Sequence, residues 1–207
     1  MWKQFGLHLR ASAALLILAL ACSSQTFAES AYLFDNVRVF DGRSRTLTAP
    51  TRVLVQGNRI TAIGNEISSE SAIVIDGSDR TLMPGLIDAH WHAMMSDVSM
   101  RDGLSVHPGY LHIVAAKAAE ATLLRGFTSV RDMAGPVWGL KQAIDRGITN
   151  GPRIWPAGAM ISQTSGHGDY RSAHDLPRTP SSPPHFTETL GVARIADGVD
   201  EVRRAVR

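Results

Sequence analysis

The sequence predicts an α/β protein in which a small β-rich module precedes a parallel sheet. Two observations carry this prediction. Residues 31–83 contain short runs of β-branched and apolar residues separated by Gly, Asn and Asp, a pattern typical of strands joined by turns. After Pro84-Gly85, strand-like and helix-like segments alternate, and this alternation indicates βαβ units with parallel strands.

The first 28 residues are typical of a secretory signal peptide. Two basic residues precede the small, apolar run 11–21, and Thr26-Phe27-Ala28 offers a cleavage site after Ala28. The apolar run is shorter than the roughly 20 residues of a spanning helix. We therefore predict a periplasmic or secreted protein with no stable membrane span after cleavage. A lipoprotein acylated at Cys22 ranks second, because Ala19 stands where such motifs usually have leucine.

The composition is that of an ordinary globular protein, with 44% hydrophobic and 19% charged residues in a chain of 207. The leader carries two basic and no acidic residues, so the formal charge of +2 falls to zero after cleavage, and nothing favours nucleic-acid binding. Cleavage also removes the only cysteine. The mature protein is therefore expected to depend on its core, a metal ion or partners rather than on disulfides.

Residues 29–83 are predicted to form the β-rich module, which we interpret as a small β-sandwich. Val37 to Phe40 is the centre of its first strand. The segments 52–56 and 59–63 flank Gly57-Asn58, a two-residue sequence typical of a tight hairpin. Two further predicted strands cover residues 72–75 and 81–83.

The part that begins at Pro84 has alternating elements. Three predicted strands and two predicted helices cover residues 86–90, 110–125, 127–130, 136–146 and 153–161. The first strand is nearly all apolar, as expected of a parallel strand buried on both faces. Gly126 and Gly147 end the two helices. A long loop is predicted over residues 163–184, which are rich in Gly, Ser, Pro and His, and a further helix begins at Gly198.

His90 and His92 stand at the end of the strand that follows Pro84-Gly85. Side chains at positions i and i+2 of a strand point to the same side, so the two imidazoles are expected to lie together. Neutral imidazole is the commonest metal ligand. A metal site needs three or four protein ligands, however, and this pair provides two. A structural pair of histidines at a strand end is the alternative.

Three segments resemble the metal-dependent amidohydrolase superfamily, and within it the branch of Xaa-Pro dipeptidases and imidazolonepropionase-like enzymes. Residues 83–92, with the sequence Met-Pro-Gly-Leu-Ile-Asp-Ala-His-Trp-His, resemble the first barrel strand of the family. Residues 128–132 resemble its second strand. Residues 166–169, Gly-His-Gly-Asp, resemble the loop after its third strand. The β-rich module before the first strand is also similar to the module that these enzymes wrap around their barrel.

The resemblance implies that residues 84–207 are the first part of a (β/α)8 barrel of the TIM type. From Pro84 to Arg207 there are 124 residues, whereas a complete barrel takes about 250. We therefore expect an incomplete barrel, the N-terminal half of a longer protein. An open half-barrel leaves strand edges uncovered, which favours association into an oligomer.

The resemblance also implies a metal centre of one or two divalent ions, with zinc as the expected metal and His90 and His92 as two of its ligands. The family further needs a bridging lysine, two more histidines and an aspartate that acts as general base. These groups are expected beyond residue 207, because Lys117 and Lys141 lie in predicted helices. No catalytic residue is therefore expected within this chain.

Four other residues are candidates for the site. His167 lies between glycines at the end of the barrel where active sites are found, and we predict that it contacts substrate, with Tyr170 and Arg171 as further candidates. A loop histidine without a role is the alternative for His167. Asp132 ends the second barrel strand. It either orients a metal ligand through a contact to that ligand's side chain or makes an ordinary cap or loop hydrogen bond.

The resemblance predicts a hydrolase of C–N bonds that acts on small molecules, with dipeptides or N-acyl amino acids as substrates. As an N-terminal fragment, the chain is expected to be inactive alone. One alternative is a non-catalytic, truncated product that binds metal weakly as a half-barrel. Another is a deaminase or lactonase on the same scaffold.

Overall fold

The computed structural model describes residues 30–68, 70–179 and 181–206. The chain divides into two compact units with the boundary between Pro84 and Gly85. The predicted signal peptide, including its cleavage site and the alternative acylation site at Cys22, lies outside the described residues.

The first unit is a β-sheet. Its strands are β1 (Ala31–Val39), β2 (Thr51–Gln56), β3 (Arg59–Ile63), β4 (Ile73–Asp76) and β5 (Thr81–Leu82). They are ordered β3-β2-β1-β4, and β5 also pairs with β1. The β2–β3 hairpin predicted at Gly57-Asn58 is present, with Gly57 at a φ of +57°. Both β4 and β5 run parallel to β1.

This unit differs from the predicted β-sandwich. A sandwich needs two sheets that bury their facing sides, whereas residues 30–68 and 70–84 form a single sheet. Its core residues, such as Leu33, Val37 and Val53, are buried, but Ile63 of β3 and Val74 of β4 are 56% and 59% exposed because no second layer covers these strands here. A second layer therefore stays a prediction.

The second unit alternates strands and helices, as the sequence predicts. Its elements are β6 (Leu86–Trp91), α1 (Met100–Ser105), α2 (Pro108–Leu124), β7 (Phe127–Asp132), α3 (Trp138–Asp145), β8 (Arg153–Pro156), β9 (Met160–Ser162), α4 (Phe186–Thr189), β10 (Ala193–Ile195) and α5 (Val199–Val206). The parallel sheet β6-β7-β8 confirms the α/β class. The described part of this unit does not close into a barrel.

Helix α2 begins two residues before the start predicted at Tyr110 and ends one residue before the end predicted at Arg125. Pro108 stands in its first turn, where a missing N–H costs nothing, and Nδ1 of His107 accepts a hydrogen bond of 3.0 Å from the Gly109 amide. Leu111 and Ala115 pack into the core of the unit. The helix ends before Gly126, which has a φ of +97°, a conformation that glycine adopts without strain.

Strand β6 differs from the expectation of burial on both faces. Leu86 is 41% and Ile87 is 72% exposed. The reason is that β6 forms one edge of the sheet, while α2 and α3 pack against β7 and β8. Only the end of the strand is covered, where Trp91 joins the core.

Strand β6 approaches β7 closely at its start. A Cβ atom added to Gly85 would lie 2.1 Å from Oγ1 of Thr128. No side chain fits in that space, so a glycine is required where the chain enters the sheet. This contact gives a physical reason for the Pro84-Gly85 sequence and fixes the start of the strand that carries the two histidines.

The predicted strand 153–161 is two strands in the structure. The chain turns at Gly158, which has a φ of +82°. Strand β8 stays in the sheet with β7, whereas β9 pairs in parallel with β10. The sequence prediction missed β10, because a three-residue strand with a distant partner has no local pattern of its own.

The helices of the described residues are 4 to 17 residues long. None of them combines the length and the apolar character that a membrane crossing requires.

Candidate metal centre

The two histidines of β6 lie side by side. The ring centroids of His90 and His92 are 5.1 Å apart, and the ring planes meet at 72°. Trp91 between them is buried in the core of the unit. The alternation of side chains along the strand therefore leaves both imidazoles on the side away from that core.

This spacing fits a shared metal ion. With metal–nitrogen bonds of about 2.0–2.1 Å, two imidazoles on one tetrahedral ion have ring centres roughly 5 Å apart. The observed separation of 5.1 Å agrees with this value. Nδ1 of His92 is buried and has no hydrogen-bond partner among the described residues. Both observations are compatible with ligation by this pair.

The surroundings of His92 favour its neutral form. Burial lowers the pKa of His92 below the usual 6.5, and the nearby His90 and His167 lower it further, while Asp88 acts in the opposite direction. A metal binds the neutral imidazole. The lowered pKa therefore extends the range of pH in which this ring is ready to bind a cation.

An open cavity of about 610 Å³ brings the histidine pair together with two residues of the long loop. His90, His92, His167 and Tyr170 all line it. The structure thus places these four side chains around one cavity, and their roles stay predictions. Burial raises the pKa of Tyr170, so its hydroxyl stays protonated and can donate a hydrogen bond into the cavity.

Arg171 is placed differently from its predicted contact with substrate. Its Nε lies 2.8 Å from Oδ1 of Asp169, and its Nη2 lies 2.5 Å from Oδ2. The two side chains are only 16% and 6% exposed. Arg171 is held in this ion pair and does not line the histidine cavity.

Asp169 is a residue whose role the sequence interpretation missed. Its Oδ2 also accepts a hydrogen bond from the Ser165 amide, so one carboxylate ties together both sides of the Gly166-His167-Gly168 segment. The arginine and the hydrogen bonds hold the pKa of Asp169 well below its usual range. The only sequence signal was the aspartate within the Gly-His-Gly-Asp motif, two residues before an arginine.

Asp132 supports the chain just after the histidine pair. It is fully buried, and its Oδ2 accepts a hydrogen bond of 2.6 Å from the Ala93 amide. Its Oδ1 has no hydrogen-bond partner among the described residues. The residue does not cap the following helix, whose N-cap is Val137. Asp132 thus makes a loop hydrogen bond that fixes the backbone beside His92.

Burial raises the pKa of Asp132 to about 6, against the opposing effect of the Ala93 hydrogen bond. The folded protein therefore binds a proton at Asp132 that the unfolded chain has released near pH 4. The resulting stabilisation is complete below pH 4 and is lost as the pH rises through about 6.

We expect Asp132→Asn to reveal this loss. From pH 4 to pH 7, the unfolding free energy of the wild type should fall relative to that of the variant by about 3 kcal/mol, since a shift of roughly two pKa units has that value. Urea unfolding of the full-length protein with a chelator present measures it. A difference that is constant with pH would show that the buried carboxyl does not titrate in this range.

The described residues bring together two candidate metal ligands at this site. Within residues 30–68, 70–179 and 181–206, no group of three or more His, Cys, Asp or Glu side chains is arranged to hold a metal ion. Two histidines alone bind a metal weakly, since stable zinc sites use three or four protein ligands. Ligation by His90 and His92 therefore stays a prediction.

Comparison with known proteins places this geometry in a family. Residues 81–207 match the amidohydrolase family. The chain is 39% identical over 136 residues to ochratoxinase of Aspergillus niger, an alignment that covers 61% of this chain and 28% of ochratoxinase.

Two solved structures have a similar fold. One is a prolidase complexed with N-methylphosphonate-L-proline, with a TM-score of 0.74 and 35% identity; the match covers 86% of this chain and 43% of that one. The other is a Xaa-Pro dipeptidase with methionine bound in its active site, with a TM-score of 0.67 and 30% identity over 86% of this chain and 44% of that one. The chain thus spans less than half the length of these relatives.

Proposed function

This chain belongs to the amidohydrolase family, and from that premise we propose that it carries part of the metal centre of a hydrolase that cleaves C–N bonds in small molecules. The observation that carries the proposal is the pair His90 and His92, with ring centroids 5.1 Å apart at the edge of an open cavity. A structural pair of histidines would not need a cavity in front of it.

We propose zinc as the metal, held by one nitrogen from each of His90 and His92. A divalent metal in this position lowers the pKa of a water molecule and polarises a substrate carbonyl. The described residues do not complete its ligand set, so the remaining ligands and the general base are placed outside them. In this proposal residues 84–207 are the first part of a (β/α)8 barrel, and residues 29–83 belong to a β-rich module that precedes it in the sequence.

The substrate class follows from the cavity and from the relatives. His167 and Tyr170 line the same cavity as the histidine pair, where each can donate a hydrogen bond to a substrate carboxylate or carbonyl. The similar proteins include a prolidase and a Xaa-Pro dipeptidase. We therefore propose dipeptides or N-acyl amino acids as substrates. We also propose a periplasmic or secreted location, on the basis of the predicted signal peptide.

The experiment is an assay of the full-length protein with dipeptides that end in proline and with N-acyl amino acids. We expect hydrolysis when zinc is supplied and none after a chelator has removed it. Hydrolysis that survives the chelator would contradict the metal-dependent proposal. Release of ammonia from an aminopurine, without cleavage of any dipeptide, would instead favour the deaminase alternative.

A further inference from the structure

A second cavity, of about 200 Å³, lies next to the cavity of the histidine pair within the second unit. We call it the side cavity. Its wall is mostly apolar and includes Met94, Val98, Leu104, Leu111 and Val192. The two cavities share three lining residues, Met95, Met100 and Tyr170. A molecule in front of the histidines therefore has an apolar space directly beside it.

Three of the polar side chains in the wall of the side cavity already have partners. Oγ of Ser99 accepts a hydrogen bond from the Asp102 amide. Nδ1 of His112 lies 2.9 Å from the Pro108 carbonyl oxygen, and Oγ1 of Thr187 lies 2.8 Å from Nδ1 of His185. A guest in this cavity meets mostly apolar surface, and three of the polar side chains around it are already bonded, which favours an apolar guest over a polar one.

The volume suits one hydrocarbon group. An apolar cavity of about 150 Å³ in another protein stays dry and binds benzene, and the side cavity is larger, at about 200 Å³. An aromatic ring or a branched alkyl group fits this space, whereas water gains little there because a buried water needs two to four polar partners.

We propose that the side cavity is a specificity pocket that receives an apolar group of the substrate, of the size of a phenylalanine or leucine side chain. The proposal rests on the proposed function, because it assumes that the scissile bond of the substrate faces His90 and His92. The apolar group next to that bond then enters the side cavity. The pocket then selects amides of large apolar amino acids over those of glycine.

Gly103 offers a way to fill the pocket without disturbing the fold. It lies in helix α1 and lines the side cavity. A Cβ atom added there meets only Cγ1 of Val98, at 4.0 Å, which is ordinary van der Waals contact. A larger side chain at this position extends towards the wall of the cavity, and replacing a helical glycine also favours the helix.

The test uses two probes whose sulfonamide replaces the scissile amide, N-methylsulfonyl-L-phenylalanine and N-methylsulfonylglycine. Their dissociation constants are measured by calorimetry with the zinc-loaded, full-length protein. We expect the phenylalanine probe to bind at least about tenfold more tightly, since even one methylene group in an apolar pocket changes selection by that order. Gly103→Phe should abolish the preference, and Gly103→Ala should retain it.

Lys117→Phe is the control, because Lys117 is an exposed residue of helix α2 that does not line the side cavity. It should retain the preference. If Gly103→Phe does not fold, Gly103→Leu takes its place. Equal affinities for the two probes in the wild type, or a preference that survives the filling of the pocket, would overturn the proposal. If the proposed function is wrong but the pocket is real, the protein hydrolyses none of the amides, yet the phenylalanine probe still binds more tightly than the glycine probe. The two failures are therefore distinguishable.

Discussion

Replacing His90 or His92 by alanine should lower kcat/KM of the zinc-loaded, full-length protein by at least roughly a thousandfold, because the several kcal/mol that a metal contributes to such a reaction are lost with it. Zinc affinity, measured by competition with a chromophoric chelator, should fall in parallel. His90 is exposed, so His90→Ala should leave the melting temperature of the metal-free protein unchanged.

His174→Ala is the control for this result. His174 is an exposed histidine of the long loop and does not line the histidine cavity, so its removal should change neither zinc affinity nor turnover. Retention of zinc affinity and turnover in both His90→Ala and His92→Ala would contradict ligation by the pair.

Asp169→Ala should destabilise the loop that carries His167. The variant leaves the guanidinium of Arg171, which is only 16% exposed, without its partner, and we expect a loss of roughly 2–4 kcal/mol in unfolding free energy, near the lower end for breaking a buried pair. Turnover should fall as well, since His167 and Tyr170 are no longer held beside the histidine pair. Urea unfolding and steady-state kinetics of the full-length protein measure the two effects.

Asp145→Ala is the matched control, because Asp145 forms an ion pair with Lys141 on an exposed helix surface. Such a pair is worth about 0.3–0.5 kcal/mol. The effect of Asp169→Ala should also be constant between pH 5 and 8. The lowered pKa of Asp169 means that its contribution is present above its ordinary value and is lost only under strongly acidic conditions. Equal effects of the two substitutions would contradict a special role for Asp169.

The features that the sequence predicts well are local. The end of helix α2 follows from Gly126, which acts in the structure as its backbone chemistry requires, whereas the helix begins at Pro108, two residues before the predicted start. The side-by-side placement of His90 and His92 follows from the two-residue period of a strand. The α/β class follows from the alternation of such local patterns.

The features that the sequence does not predict depend on distant partners. The pairing of β9 with β10 joins segments about 30 residues apart, and no property of either segment identifies the other. Burial of Asp132 depends on the packing of β7 between β6 and β8. The exposure of Ile87 depends on which elements cover the edge strand. In each case the deciding contact is tertiary, so the local pattern is insufficient.

The position of the metal is the central claim, and anomalous diffraction at the zinc absorption edge tests it most directly in crystals of the zinc-loaded, full-length protein. We predict a peak about 2.0–2.1 Å from one nitrogen of His90 and from one nitrogen of His92. Zinc bound elsewhere in the protein, with no peak between these two rings, would contradict it.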